Sequence, residues 1–427
     1  MVLSRRSREL AARVVASAVT TAAVGALLVG CAAPEPMPTP TPTETFVPTG
    51  DGVLRIGSII PTTGTYAFLG AAQVAGIEIA VKEINDAGGI GGVPVEVLHR
   101  DSGDASGTKA EESLADLVAK EVDVIVGPTS SVIAERLIPL AAAEKITMIS
   151  PAATFPGLSS VTGGEYFFRT IPSYGRQGTV LGDVLTEGDP KKVAVLYIND
   201  ELGQALVPLL TDSVVAGGGE VVASVSVPAN AKDFAPYVAE VKESEPDVVV
   251  LSSAYSTLDA TKALITQVIN AGYGGAKLWL TTQNTGDYSQ AFPAGSIKDV
   301  NGIIEGFQPD DAFIARLKQS DPNLIQVRYA SEAYDATIMA ALAAMVAGDD
   351  SGESIAATLQ SVSTGGIKCT SFGECVDVLK TQTDIDYDGI SGPLNITDDG
   401  DVSPAFYGLY AFNGENKFIL ARGIVGG

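Results

Sequence analysis

Histidine, cysteine and tryptophan are scarce in this sequence. Its 427 residues include one histidine, three cysteines and one tryptophan. A Ser/His/Asp triad and a histidine-rich metal site both need histidine, and the single His99 falls on a predicted strand, where we expect a structural residue. Those classes of enzyme and metalloprotein are therefore close to excluded. Since no nucleophile–base pair or metal-ligand set is visible either, we expect no catalytic residue, no metal and no cofactor.

Positive charge is also scarce. The chain has 27 lysines and arginines against 51 aspartates and glutamates, which gives a formal net charge of −24. Nucleic acid and anionic membrane surfaces are therefore poor partners for the folded part. Hydrophobic residues make up 46% of the sequence, so a chain of this length can bury a large core, and we expect more than one domain.

An apolar run at the amino terminus is short for a membrane span. Residues 1–30 have a basic start followed by the run Val14–Gly30, a pattern typical of a secretion signal. The run ends in the letters LVGC, which resemble the processing box of bacterial lipoproteins, where a cysteine receives diacylglycerol and becomes the mature amino terminus. That cysteine is Cys31. Because the remaining chain is strongly acidic, we expect the lipid, and not surface charge, to hold it at the outer face of the cell membrane.

A spacer follows the lipid site. Residues 31–52 are rich in proline and threonine and have no hydrophobic pattern, which predicts an extended, semi-stiff linker. We expect folding to begin at Val53.

The two other cysteines, Cys369 and Cys375, lie close together in the sequence. In an oxidising exterior they are expected to form a local disulfide. Because the loop that it closes is short, the loop-closure model gives a modest stabilisation of roughly 2 kcal/mol.

Beyond the spacer, short apolar runs alternate with helical patterns, which predicts a doubly wound parallel sheet. In the first series, strands are predicted at Val53–Ile60, Val93–His99, Val122–Val126 and Ile146–Ile149, and helices at Ala71–Ala87 and Ser131–Glu144. In the second, strands are predicted at Lys192–Ile198, Glu220–Val227, Asp247–Leu251 and Lys277–Leu280, and helices at Gly203–Ala216, Asp233–Glu243 and Thr257–Ala271. Two series in one chain predict two lobes. Residues 301–427, with a long helical stretch at Val327–Ala347, are expected to complete both.

Two strand ends of the first series carry the candidate site. Val122–Val126 is followed by Gly127–Ser131, and Ile146–Ile149 by Ser150–Thr154. Ligands of open α/β sheets bind beyond the carboxyl ends of the strands, and both ends offer hydroxyls, backbone N–H groups and a helix start that suit a small anion such as a carboxylate. The alternative is that Ser130 and Ser131 only cap a helix.

These stretches, in their order and spacing, resemble the type I periplasmic solute-binding proteins of ABC transporters, in particular the branched-chain amino-acid (Leu/Ile/Val) group. The resembling stretches are IGSIIPTTGTYAFLG, INDAGGIGG, VGPTSS, ISPAAT, RTIPSYGRQG and GISGPLNITDDGD. The resemblance implies an α/β fold of two Rossmann-like, doubly wound lobes that close like a flytrap. It implies three crossovers, near Thr170–Ser173, Gly302–Phe307 and Gly389–Leu394. The implied lobes are residues 53–172 with 307–391, and 173–306 with 392–427.

The resemblance also implies which residues contact the ligand. In the first lobe, the positions that hold the ligand's carboxylate and ammonium correspond to Ser131, Ala152 and Thr154. In the second lobe, the resemblance points to Tyr255, to Leu202 after the first strand, and to Gln283. The remaining wall would come from the opening loop and from the segment before the long helix; its residues are Leu69, Tyr66 with Phe68 nearby, and Tyr329.

The sequence departs from the family at one of these positions. The amino-acid binders have an acidic residue for the ligand's ammonium after the strand KLWLTT, but this chain has Gln283. A neutral amide accepts a hydrogen bond but cannot neutralise a buried cation. Either Asp200, Asp259 or Asp287 supplies the charge, or the ligand is a short amide, urea or a small carboxylic acid. The further alternative is that Gln283 is a solvated loop residue.

Another acidic stretch copies only part of a calcium-binding loop. Asp384, Asp386 and Asp388 stand at alternate positions before Gly389. The twelfth position is Asn395 in place of the bidentate glutamate, so we do not expect calcium.

Together these features predict an extracytoplasmic solute-binding lipoprotein, monomeric and not an enzyme. It would capture a small polar molecule, an amino acid or an amide-like compound, and deliver it to an ABC permease. The rival hypothesis is a sensory module that reports the ligand to a separate signalling partner.

Overall fold

The computed structural model describes residues 49–189, 191–253, 258–306 and 309–427. The predicted signal, the lipid site Cys31, most of the linker and the predicted contact residue Tyr255 lie outside these ranges. Within them, no helix combines the length and apolar character that crossing a bilayer requires.

A parallel sheet of short, buried strands forms the first lobe. Its strands are β1 (Arg55–Ile60), β2 (Glu96–Asp101), β3 (Val124–Val126), β4 (Thr147–Ser150) and β5 (Phe167–Arg169), in the spatial order β2-β1-β3-β4-β5. The central strands β3 and β4 are completely buried, as expected for β-branched runs that have helices on both faces. The connecting helices are α1 (Gly70–Asp86), α2 (Lys109–Val118) and α3 (Ser131–Ala143).

The second lobe begins after a first crossing of the chain at residues 170–175. Its helices are α4 (Arg176–Thr186), α5 (Glu201–Ala216), α6 (Ala235–Glu243) and α7 (Leu258–Asn270). Its parallel strands are β6 (Lys192–Ile198), β7 (Glu220–Val227), β8 (Val248–Ser252), β9 (Leu278–Leu280) and β10 (Asn301–Glu305). The structure begins the second crossing at Gly306 and not at Gly302, because residues 301–305 form a strand. Its first two residues pair with β9, and all five pair with a later strand at residues 407–411.

The chain then returns to the first lobe. It forms α8 (Asp311–Ser320), α9 (Ala330–Ala347), α10 (Gly352–Thr358), α11 (Phe372–Leu379) and a small sheet of β11 (Ile367–Cys369), β12 (Ile385–Gly389) and β13 (Gly392–Pro393). Helix α9 is buried from Ala330 to Ala344, including the polar residues Glu332 and Asp335, and such complete burial is typical of a central helix. It packs against α1. A disulfide joins Cys369 to Cys375, with the Cα atoms 5.2 Å apart.

A third crossing brings the chain back to the second lobe, where β14 (Ala405–Phe412) and β15 (Phe418–Gly426) add two antiparallel strands beside β10. The second sheet then has the order β15-β14-β10-β9-β8-β6-β7. The third crossing follows β13, later than the predicted start at Gly389, because Gly389 and Gly392 pair in the small sheet. The predicted α/β fold with two doubly wound halves is confirmed.

The amino-terminal end of the described chain is bound to the first lobe. The backbone N–H of Gly50 donates to Asp349 Oδ1 at 2.8 Å, and that of Gly52 donates to Asp350 Oδ1 at 3.2 Å. The last residues of the predicted linker therefore lie on the protein surface. They lie beside the amino ends of β1 and β3, at the edge of the sheet opposite Ser131.

Asp123 lies at this edge, just before β3, and is expected to make stability depend on pH. Burial raises the pKa of Asp123 to about 7, and nearby Asp350 and Asp51 add to the rise, while the backbone N–H of Arg55 and its guanidinium oppose it. Because this pKa lies above the unfolded value, the folded state holds the proton more tightly. Asp123 therefore makes its full contribution to the free energy of unfolding below about pH 4. This contribution is lost as the pH rises to 7, by at most about 1.4 kcal/mol per pH unit.

Urea unfolding of the full chain at pH 5 and pH 7 tests this prediction. Asp123→Asn keeps an acceptor for the Arg55 N–H but cannot ionise, so this variant should lose less stability than the wild type over the interval. The exposed Asp377→Asn should behave like the wild type. Parallel losses in the wild type and in Asp123→Asn would contradict the prediction.

Candidate functional site

The carboxyl ends of β3 and β4 meet, as the sequence predicts for neighbouring parallel strands. Ser131 Oγ accepts hydrogen bonds from the backbone N–H groups of Thr154, at 3.1 Å, and Phe155, at 3.2 Å. The turn before Ser131 depends on Gly127. Its φ is +125°, and a Cβ there would lie 2.6 Å from the carbonyl oxygen of Ile59, so only glycine fits.

The structure does not support the alternative that these serines only cap α3. Ser130 occupies the N-cap position, but its side chain makes no capping hydrogen bond. Ser131 accepts from residues of the neighbouring strand end instead of from the helix. Two accepted bonds fix the position of its oxygen, and its half-buried hydroxyl proton has no acceptor among the described residues. Ser131 therefore joins the start of α3 to the strand end after β4.

The backbone N–H groups after β4 are not free, contrary to the sequence-based expectation. Ser150 Oγ accepts from Ala152 N at 3.3 Å and from Ala153 N at 2.9 Å, and it donates to the carbonyl of Pro128 at 2.7 Å. With Thr154 N bound to Ser131, the backbone N–H groups of residues 152–154 all have partners within the protein.

The opening loop is joined to the same strand ends by a residue that the sequence analysis missed. Gln73 is completely buried on α1. Its Nε2 donates to the carbonyl of Leu69 at 3.0 Å, and its Oε1 accepts from Thr129 Oγ1 at 2.9 Å. Leu69 is thereby fixed beside Thr129, whereas Tyr66 and Phe68 are exposed by 42% and 64%. The only sequence signal was a glutamine on an apolar helix face.

In the second lobe, Gln283 lies on a short 3-10 turn, Thr282–Asn284, directly after β9 and is half-buried. Leu202 lies in the first turn of α5 and is 8% exposed, packed into the core. Tyr329 precedes α9 with a φ of +64°, and the Arg328 guanidinium lies 4.8 Å from the centre of its ring.

One residue links strand ends of the two lobes. Tyr174, in the first crossing, donates its backbone N–H to the carbonyl of Thr154 at 2.8 Å. Its buried hydroxyl donates to Thr281 Oγ1 at 2.7 Å and lies 3.2 Å from Ser252 Oγ. Thr154 belongs to the first lobe, and Ser252 and Thr281 end two strands of the second. A single tyrosine therefore holds the strand ends of both sheets around one region.

The lobes also approach each other farther from the crossings. A Cβ on Gly157, in the first lobe, would lie 3.3 Å from Oε1 of Glu201 on α5. Burial raises the pKa of Glu201, Glu135 on α3 raises it further, and the Gly157 N–H lowers it. Gly157 and Glu135 of the first lobe therefore lie close to the start of α5 in the second lobe.

The three aspartates considered as substitutes for an acidic residue at Gln283 have other partners. Asp200 Oδ1 caps α5 by accepting from Gly203 N at 2.9 Å. The Asp259 side chain is fully exposed and pairs with Lys262 at 3.2 Å, and Asp287 accepts from the nearby Ser289 N at 2.8 Å.

The partial calcium motif forms a strand and not a loop. Asp386 and Asp388 lie on β12, and Lys368 Nζ pairs with their carboxylates at 3.0 and 2.9 Å. Within the described ranges, no cluster of three or more histidine, cysteine or acidic side chains has the geometry to hold a metal ion.

Most of the described chain is similar in sequence to known proteins. A model of the periplasmic binding protein family matches residues 53–383. The chain is 27% identical over 360 residues to the chemotactic signal transduction system substrate-binding protein BasB of Halobacterium salinarum. The aligned region is 81% of this chain and 83% of that protein. It is 27% identical over 318 residues to the leucine-, isoleucine-, valine-, threonine- and alanine-binding protein of Pseudomonas aeruginosa, covering 72% and 82%.

A solved structure of similar fold is that of an ABC transporter solute-binding protein from R. palustris in complex with benzoate. It superposes with a TM-score of 0.60 at 22% identity and covers 88% of this chain and 97% of that one.

Proposed function

The chain belongs to the periplasmic binding protein family, and on that premise we propose that it is the extracytoplasmic solute-binding component of an ABC transporter. Its ligand would be a small polar molecule, an amino acid of the branched-chain type, held between the two lobes. The observation that carries this proposal is the Tyr174 bridge, because it joins a strand end of the first sheet to strand ends of the second. The P. aeruginosa relative, which is named for aliphatic amino acids, supports the ligand class.

The lobes that we propose are residues 53–172 with 307–391, and residues 173–306 with 392–427. Sheet membership supports this division, since strands before 172 pair in the first sheet and strands from 192 to 305 and after 405 pair in the second. A ligand that contacts both lobes stabilises the closed form by its differential affinity for the two forms, and the permease would read that closure.

Within the cleft we assign the ligand's polar head to Ser131, Ala152 and Thr154. From the second lobe, Gln283 would contact the ligand, and Tyr255 stays a prediction outside the described residues. The proposed wall consists of Leu69, Tyr66, Leu202 and Tyr329. Since Leu202 is packed into the core and Tyr66 is largely exposed, their contribution would be smaller than that of Leu69.

Thermal unfolding of the full chain in mild detergent tests the function. Amino acids, short amides, urea and small carboxylic acids including benzoate are added one by one. A ligand at one hundred times its Kd should stabilise the protein by about 2.7 kcal/mol. Trp279, on β9 four residues before Gln283, should change its fluorescence with the same ligand. A panel without any shift would refute the proposal.

Ser131→Ala should weaken binding of that ligand by about 1–3 kcal/mol, because it removes a hydroxyl that we assign to the ligand's polar head. Isothermal titration calorimetry measures the loss. Ser130→Ala is the matched control, since the neighbouring side chain makes no capping bond, and it should leave the affinity within about twofold. Equal affinity of the Ser131→Ala variant and the wild type would remove Ser131 from the site.

We further propose that the mature chain is a monomer anchored to the membrane through a lipid on Cys31. The sequence LVGC and the acidic charge of the body support this. Cys31→Ser should shift the protein from the membrane fraction to the medium and abolish its labelling by a fatty acid, as measured by fractionation of expressing bacteria. A variant that remains labelled would contradict the anchor.

A second candidate function is ligand sensing for a separate signalling partner. The similarity to BasB, a substrate-binding protein of a chemotactic system, favours it. Deleting the gene should abolish uptake of the ligand if the chain serves transport, and should abolish only the behavioural response if it serves sensing.

A further inference from the structure

The opening loop after β1 is buried at its last residue only. Residues 62–68 are exposed or half-buried, whereas Leu69, which ends the loop, is 7% exposed. Hydrogen bonds to the end of β2 hold the first part of the loop, where Asp101 Oδ1 accepts from the N–H groups of Thr62 and Thr63 at 2.9 and 3.1 Å. These bonds lie at the start of the loop, and its buried end is held by a different residue.

That residue is Gln73, and both ends of its side-chain amide are hydrogen-bonded. Nε2 donates to the carbonyl of Leu69 at 3.0 Å, and Oε1 accepts from Thr129 Oγ1 at 2.9 Å. Gln73 is completely buried, and Leu69 and Thr129 are buried as well. A buried amide costs free energy unless its polar atoms have partners. The glutamine side chain therefore has one favourable position, and its two partners are fixed with it.

The two partners of Gln73 belong to different parts of the proposed site. Leu69 ends the opening loop, which we assign to the wall. Thr129 lies in the segment that joins β3 to α3, and this segment leads to Ser131, which we assign to the ligand's polar head. The loop follows β1 and the segment follows β3, and these strands are neighbours in the sheet. One side chain therefore sets the spacing between two loops at the edge where open α/β folds bind ligands.

We propose that Gln73 is a positioning residue for the ligand site: by binding Leu69 and Thr129 at the same time, it fixes the wall before the ligand arrives and so sets how strictly the site selects the ligand's side chain. This inference rests on the proposed function and specifies how its site achieves selectivity. Gln73 acts through its two partners and not by touching the ligand. A site whose supporting residues are fixed in advance loses less affinity to their ordering on binding.

Gln73→Met tests the inference, because methionine is similar in length but makes neither hydrogen bond. Leu69 and Thr129 must then be ordered when the ligand binds, so the affinity for L-leucine should fall at least ~10-fold, the scale expected for ordering two side chains. The affinity for L-alanine should fall less, because its side chain is only a methyl group, and the leucine-to-alanine ratio of affinities should drop at least ~threefold. Isothermal titration calorimetry of the full chain in mild detergent measures both. A ligand of another class found in the panel is compared with a shorter homologue in the same way.

Gln73→Glu is the conservative variant and should rescue the site. Burial favours the protonated form of a carboxyl group, and that form donates to the Leu69 carbonyl and accepts from Thr129 as the glutamine does. At pH 5 this variant should bind L-leucine within ~threefold of the wild type at the same pH, since both hydrogen bonds are kept. It should also recover the leucine-to-alanine ratio that Gln73→Met loses.

Asn85→Leu is the matched control on the same helix. Asn85 lies near the other end of α1 and also makes two hydrogen bonds through its amide, donating to the carbonyl of Val95 at 3.0 Å and accepting from Val95 N at 2.7 Å. Val95 precedes β2, at the edge of the sheet opposite the proposed site. The control should therefore lower the unfolding temperature, as Gln73→Met does, but leave both affinities within ~twofold.

Each of three results overturns the inference and leaves the function standing. They are an unchanged ratio of affinities in Gln73→Met, an equal change in Asn85→Leu, and no recovery in Gln73→Glu. Should Gln73→Met fail to fold, Thr129→Val, which removes the hydroxyl bound to Gln73, is measured in its place with the same expectation. A wild-type chain that binds nothing in the panel refutes the proposed function instead, and this inference with it.

Discussion

Asp335→Ala should lower the free energy of unfolding by about 3–5 kcal/mol. Asp335 is completely buried in α9. Its Oδ1 accepts from the Tyr387 hydroxyl at 2.7 Å and from Ile390 N at 3.1 Å, and its Oδ2 accepts from the backbone N–H and hydroxyl of Ser391. Alanine would leave four buried donors without an acceptor, which is among the most destabilising changes that a single substitution makes.

The same residue holds the turn that leads to the third crossing. A Cβ on Gly389 would lie 2.3 Å from Asp335 Cγ, so the chain comes as close to this carboxylate as a glycine allows. Asp335→Asn should cost less than Asp335→Ala, because its oxygen can still accept from Tyr387 and Ile390. Burial raises the pKa of Asp335 to about 6, so the advantage of the wild type over the asparagine variant should be smallest above pH 6, where the buried carboxyl must ionise.

Urea unfolding of the full chain at pH 5 and pH 8 measures these differences. The exposed Asp377→Ala on α11, whose carboxylate pairs only with Lys380 in the described structure, is the control and should change stability by less than about 0.5 kcal/mol. A loss below about 1 kcal/mol for Asp335→Ala would show that the turn does not depend on this carboxylate.

Asp401→Ala should have an effect of similar size, about 3–5 kcal/mol, because it removes one partner of a buried ion pair. Asp401 accepts from Ser173 N at 3.1 Å and from Arg176 Nε at 2.9 Å, and it lies 3.3 Å from Arg169 Nη2. The Arg169 side chain is 1% exposed, so its charge would remain buried without a carboxylate. Since these bonds join the first crossing to the third, the variant should also bind ligand more weakly.

Asp398→Ala is the matched control, since this exposed aspartate lies in the same segment and accepts only from Gln360 Nε2 in the described structure. Calorimetric unfolding with and without ligand separates the two effects. If Asp401→Ala unfolds at the wild-type temperature, the guanidinium of Arg169 finds other partners and the crossings are not joined by this pair.

Much of the fold is encoded in local patterns. The bounds of β6 and β7 agree with the predicted runs Lys192–Ile198 and Glu220–Val227. Each run begins with a charged residue and continues with several β-branched residues. The strand β10 was missed because Gly302 interrupts its apolar run and Glu305 ends it. The structure explains the glycine, since a Cβ there would lie 2.6 Å from Thr285 Oγ1.

Some contacts of the candidate site were likewise predictable from the sequence, and others were not. The contact between Ser131 and Thr154 is predictable, because the carboxyl ends of adjacent parallel strands meet at one edge. The contacts of Gln73 and Tyr174 were not predictable, since their partners come from segments far away in the chain. Their identity depends on which surfaces pack together, and a single sequence does not contain that information locally.

The attachment of Gly50 and Gly52 to Asp349 and Asp350 has a mechanical consequence. A force applied along the chain before Gly50 would act first on the first lobe, at the edge of its sheet opposite Ser131 and Thr154. Because Asp349 and Asp350 follow α9, this attachment joins the leading residues to the first lobe and not to the second.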